Sequence, residues 1–552
     1  MNIHWLRWHK GHRGGRGRHR GHKRGRGGPR GLGGYLRRVL RGQRAAGDTP
    51  HGPRPPELND ALFLSVLITA AVLLFGSVEA WALALVGGAI VVYFNFRLYR
   101  MQAAPFQSGG GRIVPAGMRL SMAGFAALVL IQLIPIPLSA IREVFSRPEY
   151  GFLKELSLST PGGAAPWHSL SIDADETIRA AVRFLLYVMV FFVAFLAGGN
   201  RRALKRAFSI LAFFGLAMTV FAIIQKAAWN GRIYWFRALR NGGSPFGPFV
   251  NRDHFAGFEG MVFPLGLALA LETRRVEKAL LYVFVSAVTA VGIFYSLSRG
   301  GIVSFMVSGL VFLLLVRIKK SGGKPVYFLA LFAAAFAVYI ACLGISPVIG
   351  RFETGGVSSS QRLLIWRGAL GAARDFKWSG TGLGTFREIF PLYNPGLQPR
   401  VDFAHNDYIN LAVETGLPGL LLALIFFASL GKAVYNCFRE GRVPYLLCGL
   451  LASVSYMLVH SMFDFNLHIP ANAITFSAVT GFLAAGIQDG GFHEGGKEID
   501  GGGLNRHPLP HPAGARRRLP GHGADNRDAQ DRTPGRHRGH SRKPSCHERP
   551  LR

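Results

Sequence analysis

AAVRFLLYVMVFFVAFLAGGNRRALKRAFSILAFFGLAMTVFAII, residues 180–224, is the stretch whose reading decides the fold. It holds two apolar runs, 180–198 and 204–224, joined by a turn that carries Arg201, Arg202, Lys205 and Arg206. A bilayer core about 30 Å thick takes roughly 20 largely apolar residues per helix. Each run is therefore long enough to cross a membrane as a helix. Lys and Arg in short loops stay on the cytoplasmic side, so the stretch reads as a transmembrane hairpin with its basic turn inside.

The same reading extends outward in both directions. Apolar runs recur near 60–76, 80–96, 118–138, 255–271, 279–297, 301–316, 325–345, 409–430, 443–462 and 469–487, which with the first two makes twelve. Further basic loops (Arg97, Arg100 and Arg112; Arg274, Arg275 and Lys278; Arg317, Lys319, Lys320 and Lys324; Lys432, Arg439 and Arg442) all fall on the side of the first basic turn. Composition agrees, because only 17% of the chain is charged against roughly 25% in a soluble globular protein. The expectation is an all-α polytopic membrane protein with about 12 transmembrane helices, both termini cytoplasmic, and a large outer loop, 346–408, containing amphipathic helices.

The net charge of +34 is unevenly placed: residues 1–57 hold 15 Lys/Arg against two acids, and residues 488–552 hold 13 against eight. Domain boundaries are read as a basic arm at 1–57, a first membrane part at 58–250, a second at 251–487 and a basic tail at 488–552. The 57-residue lead exceeds a signal peptide, making the first span a retained anchor. Both tails have the composition of disordered segments. They either bind anionic lipid or nucleic acid, or arise from a mis-set start and a frame change. The four cysteines, Cys342, Cys437, Cys448 and Cys546, form no CxxC or Cys/His cluster, so neither a metal site nor a disulfide is expected.

Two outer loops break the charge rule. One carries Lys226, Arg232, Arg237, Arg240 and Arg252; the other carries Arg351, Arg362, Arg367, Arg374, Lys377, Arg387 and Arg400. Long loops cross regardless of charge; the alternative is an outward anion site. In the first loop Asn251 and Asp253 suit helix caps, whereas Arg252 opposes the helix dipole unless an anion is bound there. Ser296-Leu297-Ser298-Arg299-Gly300-Gly301 is a polar break, either a tight turn with a snorkelling arginine or a functional site. Leu363, Trp366, Leu370 and Ala373 recur at helical spacing, giving 361–376 the pattern of an amphipathic surface helix. Arg367 and Arg374 share one of its faces, with Arg362 about 140° from Arg367. Gly380 to Phe386 is rich enough in glycine to cradle phosphate but lacks the P-loop lysine.

The strongest cluster is Ala404 to Gly419. His405 stands at a helix entrance, as a cap or as a base that takes a proton near pH 7. Glu414 enters the bilayer and needs a partner. His460 to Asn472, with Asp464 and His468, either joins the same cavity or closes two helix ends.

In this order, Asn251-Arg252-Asp253-His254-Phe255, Ser298-Arg299-Gly300-Gly301, Arg362 with Trp366-Arg367, Gly380 to Phe386, and His405-Asn406 with nine residues before Gly416 and Gly419 resemble the O-antigen ligase and O-antigen polymerase superfamily. The resemblance covers roughly residues 60–487, and His405-Asn406 to Gly419 followed by Asp464-Phe465 is its most specific part. It implies a GT-C-like glycosyltransferase of the bacterial inner membrane, taking a glycan from undecaprenyl diphosphate on the periplasmic side without metal, cofactor or nucleotide sugar. The implied partners are that donor, membrane lipids and a lipid A core, glycan or protein acceptor, with no nucleic acid.

Physical chemistry assigns roles within that frame. A diphosphate leaving group needs cations where its charge grows, and Arg252, Arg299, Arg362 and Arg367 are the candidates. His405 is the expected base, with Glu414 orienting it or assisting proton transfer. Asn251, His254, Asn406, Asp464 and His468 are expected to support them, and the 361–376 helix to gate lateral entry of the lipid. Competing readings are a protein O-oligosaccharyltransferase with the same donor, a twelve-span transporter, and a metal hydrolase built from Asp253, His254, His405, Asp464 and His468. The transporter lacks an inverted repeat with paired broken helices, and the hydrolase lacks an HExxH-type spacing.

Overall fold

The structure, a computed structural model, describes residues 56–103, 112–137, 167–239, 243–318, 356–396, 401–440 and 443–488, with a few isolated helical positions between them. The basic arm, the C-terminal tail and the span expected at 325–345 lie outside the described residues. Helices follow the apolar runs: α1 Pro56–Leu73, α2 Ala80–Ala103, α3 Ala116–Leu133, α4 Ala174–Ala197, α5 Arg201–Ala227, α6 Arg252–Glu272, α7 Val276–Tyr295 and α8 Arg299–Ile318. They continue with α9 Gly356–Asp375, α10 Phe386–Ile389, α11 Asp407–Arg439, α12 Tyr445–His460 and α13 Pro470–Gly486. Two short antiparallel ribbons interrupt the helices: β1 Pro135–Pro137 with β2 Trp167–Ser169, and β3 Arg232–Ile233 with β4 Arg237–Ala238.

Among the described residues nine helices, α1 to α8 and α11, are long and apolar enough to cross a membrane, and α12 is a shorter apolar helix. The expected count of twelve is thus met only in part. The chain is a multi-pass membrane protein. Helix α6 is its axis and is buried along nearly its whole length. It is tied to α12 by the Tyr456 hydroxyl on the Ala256 carbonyl at 2.8 Å and the Ser453 hydroxyl on the Met261 carbonyl at 2.6 Å. Such hydroxyl-to-carbonyl links and small residues bring helices together where no hydrophobic drive exists between them.

Successive helices alternate in direction, so the starts of α4, α6, α8, α11 and α13 meet the ends of α3, α5, α7 and α12. The opposite end is closed by ion pairs: Arg97 on Asp60 at 2.9 Å, and Arg201 with Lys205 on Glu272. The described basic residues Arg97, Arg201 and Lys205, which the sequence places on one side, lie at this end.

Residues 356–415 build a small second core. Ile365, Ala369, Ala372 and Phe376 of α9 pack with Phe386, Ile389, Phe390, Ala404 and Val413. Of the residues that recur at helical spacing, Leu363 and Leu370 are 63% and 51% exposed, while Trp366 and Ala373 pack against this core. The helix carries two apolar stripes, one spent on this core and one left outward.

Candidate functional site

Helix α11 is started by Asn406, whose side-chain oxygen accepts from the amides of Tyr408 and Ile409, and it is broken at Gly416 (φ 63°) ahead of Pro418. The break frees the Val413 and Glu414 carbonyls, which accept the amides of Thr381 and Gly382, both at 3.0 Å. Gln132 adds its amide to the Ser379 and Glu414 carbonyls and accepts from the Leu383 amide. The glycine run at 380–384 is therefore a dock for the broken helix, with the amides of Thr381, Gly382 and Leu383 spent on protein partners. A Cβ at Gly380 would fall 2.2 Å from the Glu414 carbonyl oxygen.

This dock fixes the residues just before α11. His405 has φ of +49°, a left-handed backbone uncommon for a non-glycine residue and characteristic of functional sites. Asn410 holds the Ala404 amide, and Trp366 donates to the Ala404 carbonyl. His405 Nδ1 lies 3.1 Å from Asp464 Oδ1, and His254 Nε2 lies 3.4 Å from Asp464 Oδ2. Burial alone raises a carboxyl, but the His405 hydrogen bond and the charges of His254, His405 and His460 outweigh it, holding Asp464 well below the usual carboxylate range. An ionised Asp464 keeps the proton on His405 Nδ1 and leaves Nε2 as the free lone pair. Phe465 packs edge-on to both His254 and His405.

A second chain of polar groups runs beside the first. Asp407 Oδ1 meets His468 Nδ1 at 2.9 Å, His468 Nε2 lies 3.2 Å from the Asn410 amide, and that amide donates to Glu414 Oε1 at 2.7 Å. Burial opposes the imidazolium of His468, yet the hydrogen bond and charge of Asp407, with the charge of Glu414, raise its pKa. Glu414 therefore serves His468, and the carboxylate that holds His405 is Asp464. The reason is geometric: Asp407, Asn410 and Glu414 share one face of α11, while His405 precedes the helix and turns toward the α12–α13 turn.

The four candidate arginines are distributed around the site. Arg362 Nη2 reaches Asp253 Oδ2 at 3.9 Å, beside His254. Arg299 is half-buried at the start of α8, where Gly300 presses against the 460–463 turn; a Cβ there would meet Phe463 Cβ at 2.8 Å. Arg367 is exposed on α9. Arg252 turns away into a separate cleft. Asn251 caps α6 through the Asp253 amide. Below His468 lies an apolar cleft of about 270 Å³, lined by Phe184, Phe191, Leu411, Phe426, Leu467 and Phe476 among others.

Residues 284–424 match the family model of the O-antigen ligase. That segment is similar to the O-antigen ligase domain. The match takes in Arg299, Arg362, Arg367, His405, Asn406 and Glu414, while Arg252, His254, Asp464 and His468 lie outside it. The matched segment is thus completed in space by α6 and the α12–α13 turn. Glycan transfer of the O-antigen ligase or polymerase type follows at the level of the family. No curated protein matches the chain. Asp407 and Asn410, absent from the expected set, carry a sequence signal in hindsight: with Glu414 they stand at i, i+3 and i+7. His460, Asn466 and Asn472, joined through the Asn472 amide on Asn466 at 2.8 Å and on the His254 carbonyl, carry no such signal.

Proposed function

We propose that the ligase domain transfers a glycan from undecaprenyl diphosphate to an acceptor hydroxyl, with inversion, on the periplasmic side of the bacterial inner membrane. The observation that carries the reading is the His405–Asp464 pair at 3.1 Å, with His405 held at a left-handed backbone of φ +49°. His405 Nε2 takes the proton of the acceptor hydroxyl while that oxygen attacks the anomeric carbon. The bond from that carbon to the diphosphate oxygen breaks on the opposite face. Diphosphate leaves with its growing charge met by Arg299, Arg362 and Arg367. Asp464 stabilises the imidazolium that forms, and His468–Asp407 with Asn410 and Glu414 hold the neighbouring wall. The apolar cleft beneath His468 suits the isoprenoid chain of the donor, and the outward leucines of α9 suit contact with the bilayer.

The test is complementation with quantified transfer. In a strain lacking the gene, His405→Ala and Arg367→Ala, each inserted at normal levels, should lower glycan transfer by about 100-fold or more. Restoration of long surface glycan by either variant would overturn the assignment.

A further inference from the structure

On another face of the first turn of α6 lies a second cleft, of about 470 Å³, between the end of α5, residues 229–239 and 243–247, and the α7–α8 turn. Lys226, Trp229, Gly231, Ser244, Arg252 and Ser296 are among the residues that line it. A lysine at the end of an apolar helix ordinarily extends its ammonium into water. Lys226, exposed at the end of α5, lies beside the rings of Tyr295 (4.8 Å) and Phe246 (5.6 Å), and its ammonium donates to the Tyr295 carbonyl at 3.4 Å. Some cations of the chain are met by acids, as Arg97 is by Asp60, Arg201 by Glu272 and Arg237 by Glu79. Among the described residues no carboxylate pairs with Lys226 or Arg252.

Two cations that line one cleft suit an anion from outside the protein. Trp229 is 41% exposed at the same cleft and offers a flat ring on which a sugar ring can lie. Gly231, with φ +86°, has open space where a side chain would stand, leaving the wall bare. The cleft shares no lining residue with the apolar cleft under His468, so it is not a continuation of the lipid path. The three residues that open α6 point to three places: Arg252 into this cleft, Asp253 toward Arg362 and His254 toward Asp464.

We propose that this cleft is the acceptor subsite of the transfer reaction, and that the acceptor saccharide carries a phosphate or carboxylate held by Lys226 and Arg252. The inference rests on the glycan-transfer reading for its role, and on the cleft alone for its ligand.

Two arms separate these. In the first, the purified full chain in detergent is titrated with glucose 6-phosphate, glucuronate, glucose and inorganic phosphate. The two acidic sugars should bind at least about tenfold more tightly than glucose, more weakly as salt rises. Lys226→Gln and Arg252→Gln should each cost about tenfold, Lys226→Arg should restore binding, and Trp229→Ala should weaken every sugar. Equal binding of glucose, or unchanged binding in Lys226→Gln, overturns the anion site; inorganic phosphate binding as tightly as glucose 6-phosphate overturns the saccharide. In the second arm, transfer is measured with acidic and neutral acceptors. Lys226→Gln should raise KM for the acidic acceptor about tenfold and leave the donor KM unchanged. A rise in the donor KM instead would give the cleft to the donor and overturn the acceptor role. Absence of transfer by the native chain from any lipid diphosphate would sink the glycan-transfer reading, while the first arm still reads the cleft.

Discussion

Asp464 is hydrogen-bonded to His405 at 3.1 Å, has His254 Nε2 3.4 Å from its other oxygen, and is itself buried to 1% exposure. Replacing it with asparagine keeps the shape and removes the charge that fixes the His405 tautomer. Asp464→Asn should lower kcat by about 100-fold or more with little change in KM, as expected for a group that acts through the base. An equal fall in kcat for Glu414→Gln without any fall for Asp464→Asn would reverse the assignment. His468 supports a stability prediction. Its pKa is raised in the folded chain by Asp407, so its stabilisation is fully present below the unfolded value of about 6.5 and is lost as pH rises through the folded value. Thermal melting of the purified protein should show a step of stability lost on that side, and Asp407→Asn should remove the step. The residue types were legible in the sequence, since a lone His before a helix and a carboxylate inside a span both demand explanation. Their partners were not: His405 and Asp464 are 59 positions apart, and nothing local connects them.

At the scale of the element, the break in α11 and the glycine run that receives it are one feature. A Cβ at Gly416 would stand 2.7 Å from the Lys377 carbonyl oxygen, and at Gly380 2.2 Å from the Glu414 carbonyl oxygen, both at positive φ. Gly431, on the same helix, has open space where a Cβ would stand. Gly416→Ala and Gly380→Ala should each destabilise the protein by about 1–3 kcal/mol through backbone strain alone and lower transfer further by shifting Glu414, whereas Gly431→Ala should be neutral or slightly stabilising. Thermal melting with a transfer assay checks all three. The sequence showed the break, because Gly416 and Pro418 interrupt an apolar run. It suggested a phosphate cradle for the glycines because free amides and paired amides look alike until their partners are known. In α9 the spacing showed one apolar stripe, and the second, Ile365, Ala369 and Ala372, is recognised only by the core it meets.

For the whole molecule, the alternating helices gather different groups at the two ends. One end holds Arg97 paired with Asp60, and Arg201 and Lys205 with Glu272; the other holds the His405 group, Arg362 with Asp253, Arg237 with Glu79, and the Lys226 and Arg252 cleft. The apolar periods made this alternation legible, since length and hydropathy fix spans without knowledge of contacts. Under the positive-inside rule the end with Arg97, Arg201 and Lys205 is expected in the cytoplasm and the site in the periplasm. That orientation is testable by single cysteines placed at exposed positions in a chain whose native cysteines have been replaced. Leu392 at the site end is 64% exposed and Val276 at the start of α7 is 60% exposed. Leu392→Cys should react with a membrane-impermeant maleimide in intact spheroplasts, and Val276→Cys only after the membrane is opened. The reverse pattern would put the His405 group in the cytoplasm, where a polymer destined for the surface cannot be joined after its lipid carrier has crossed, and the proposed reaction would fail with it.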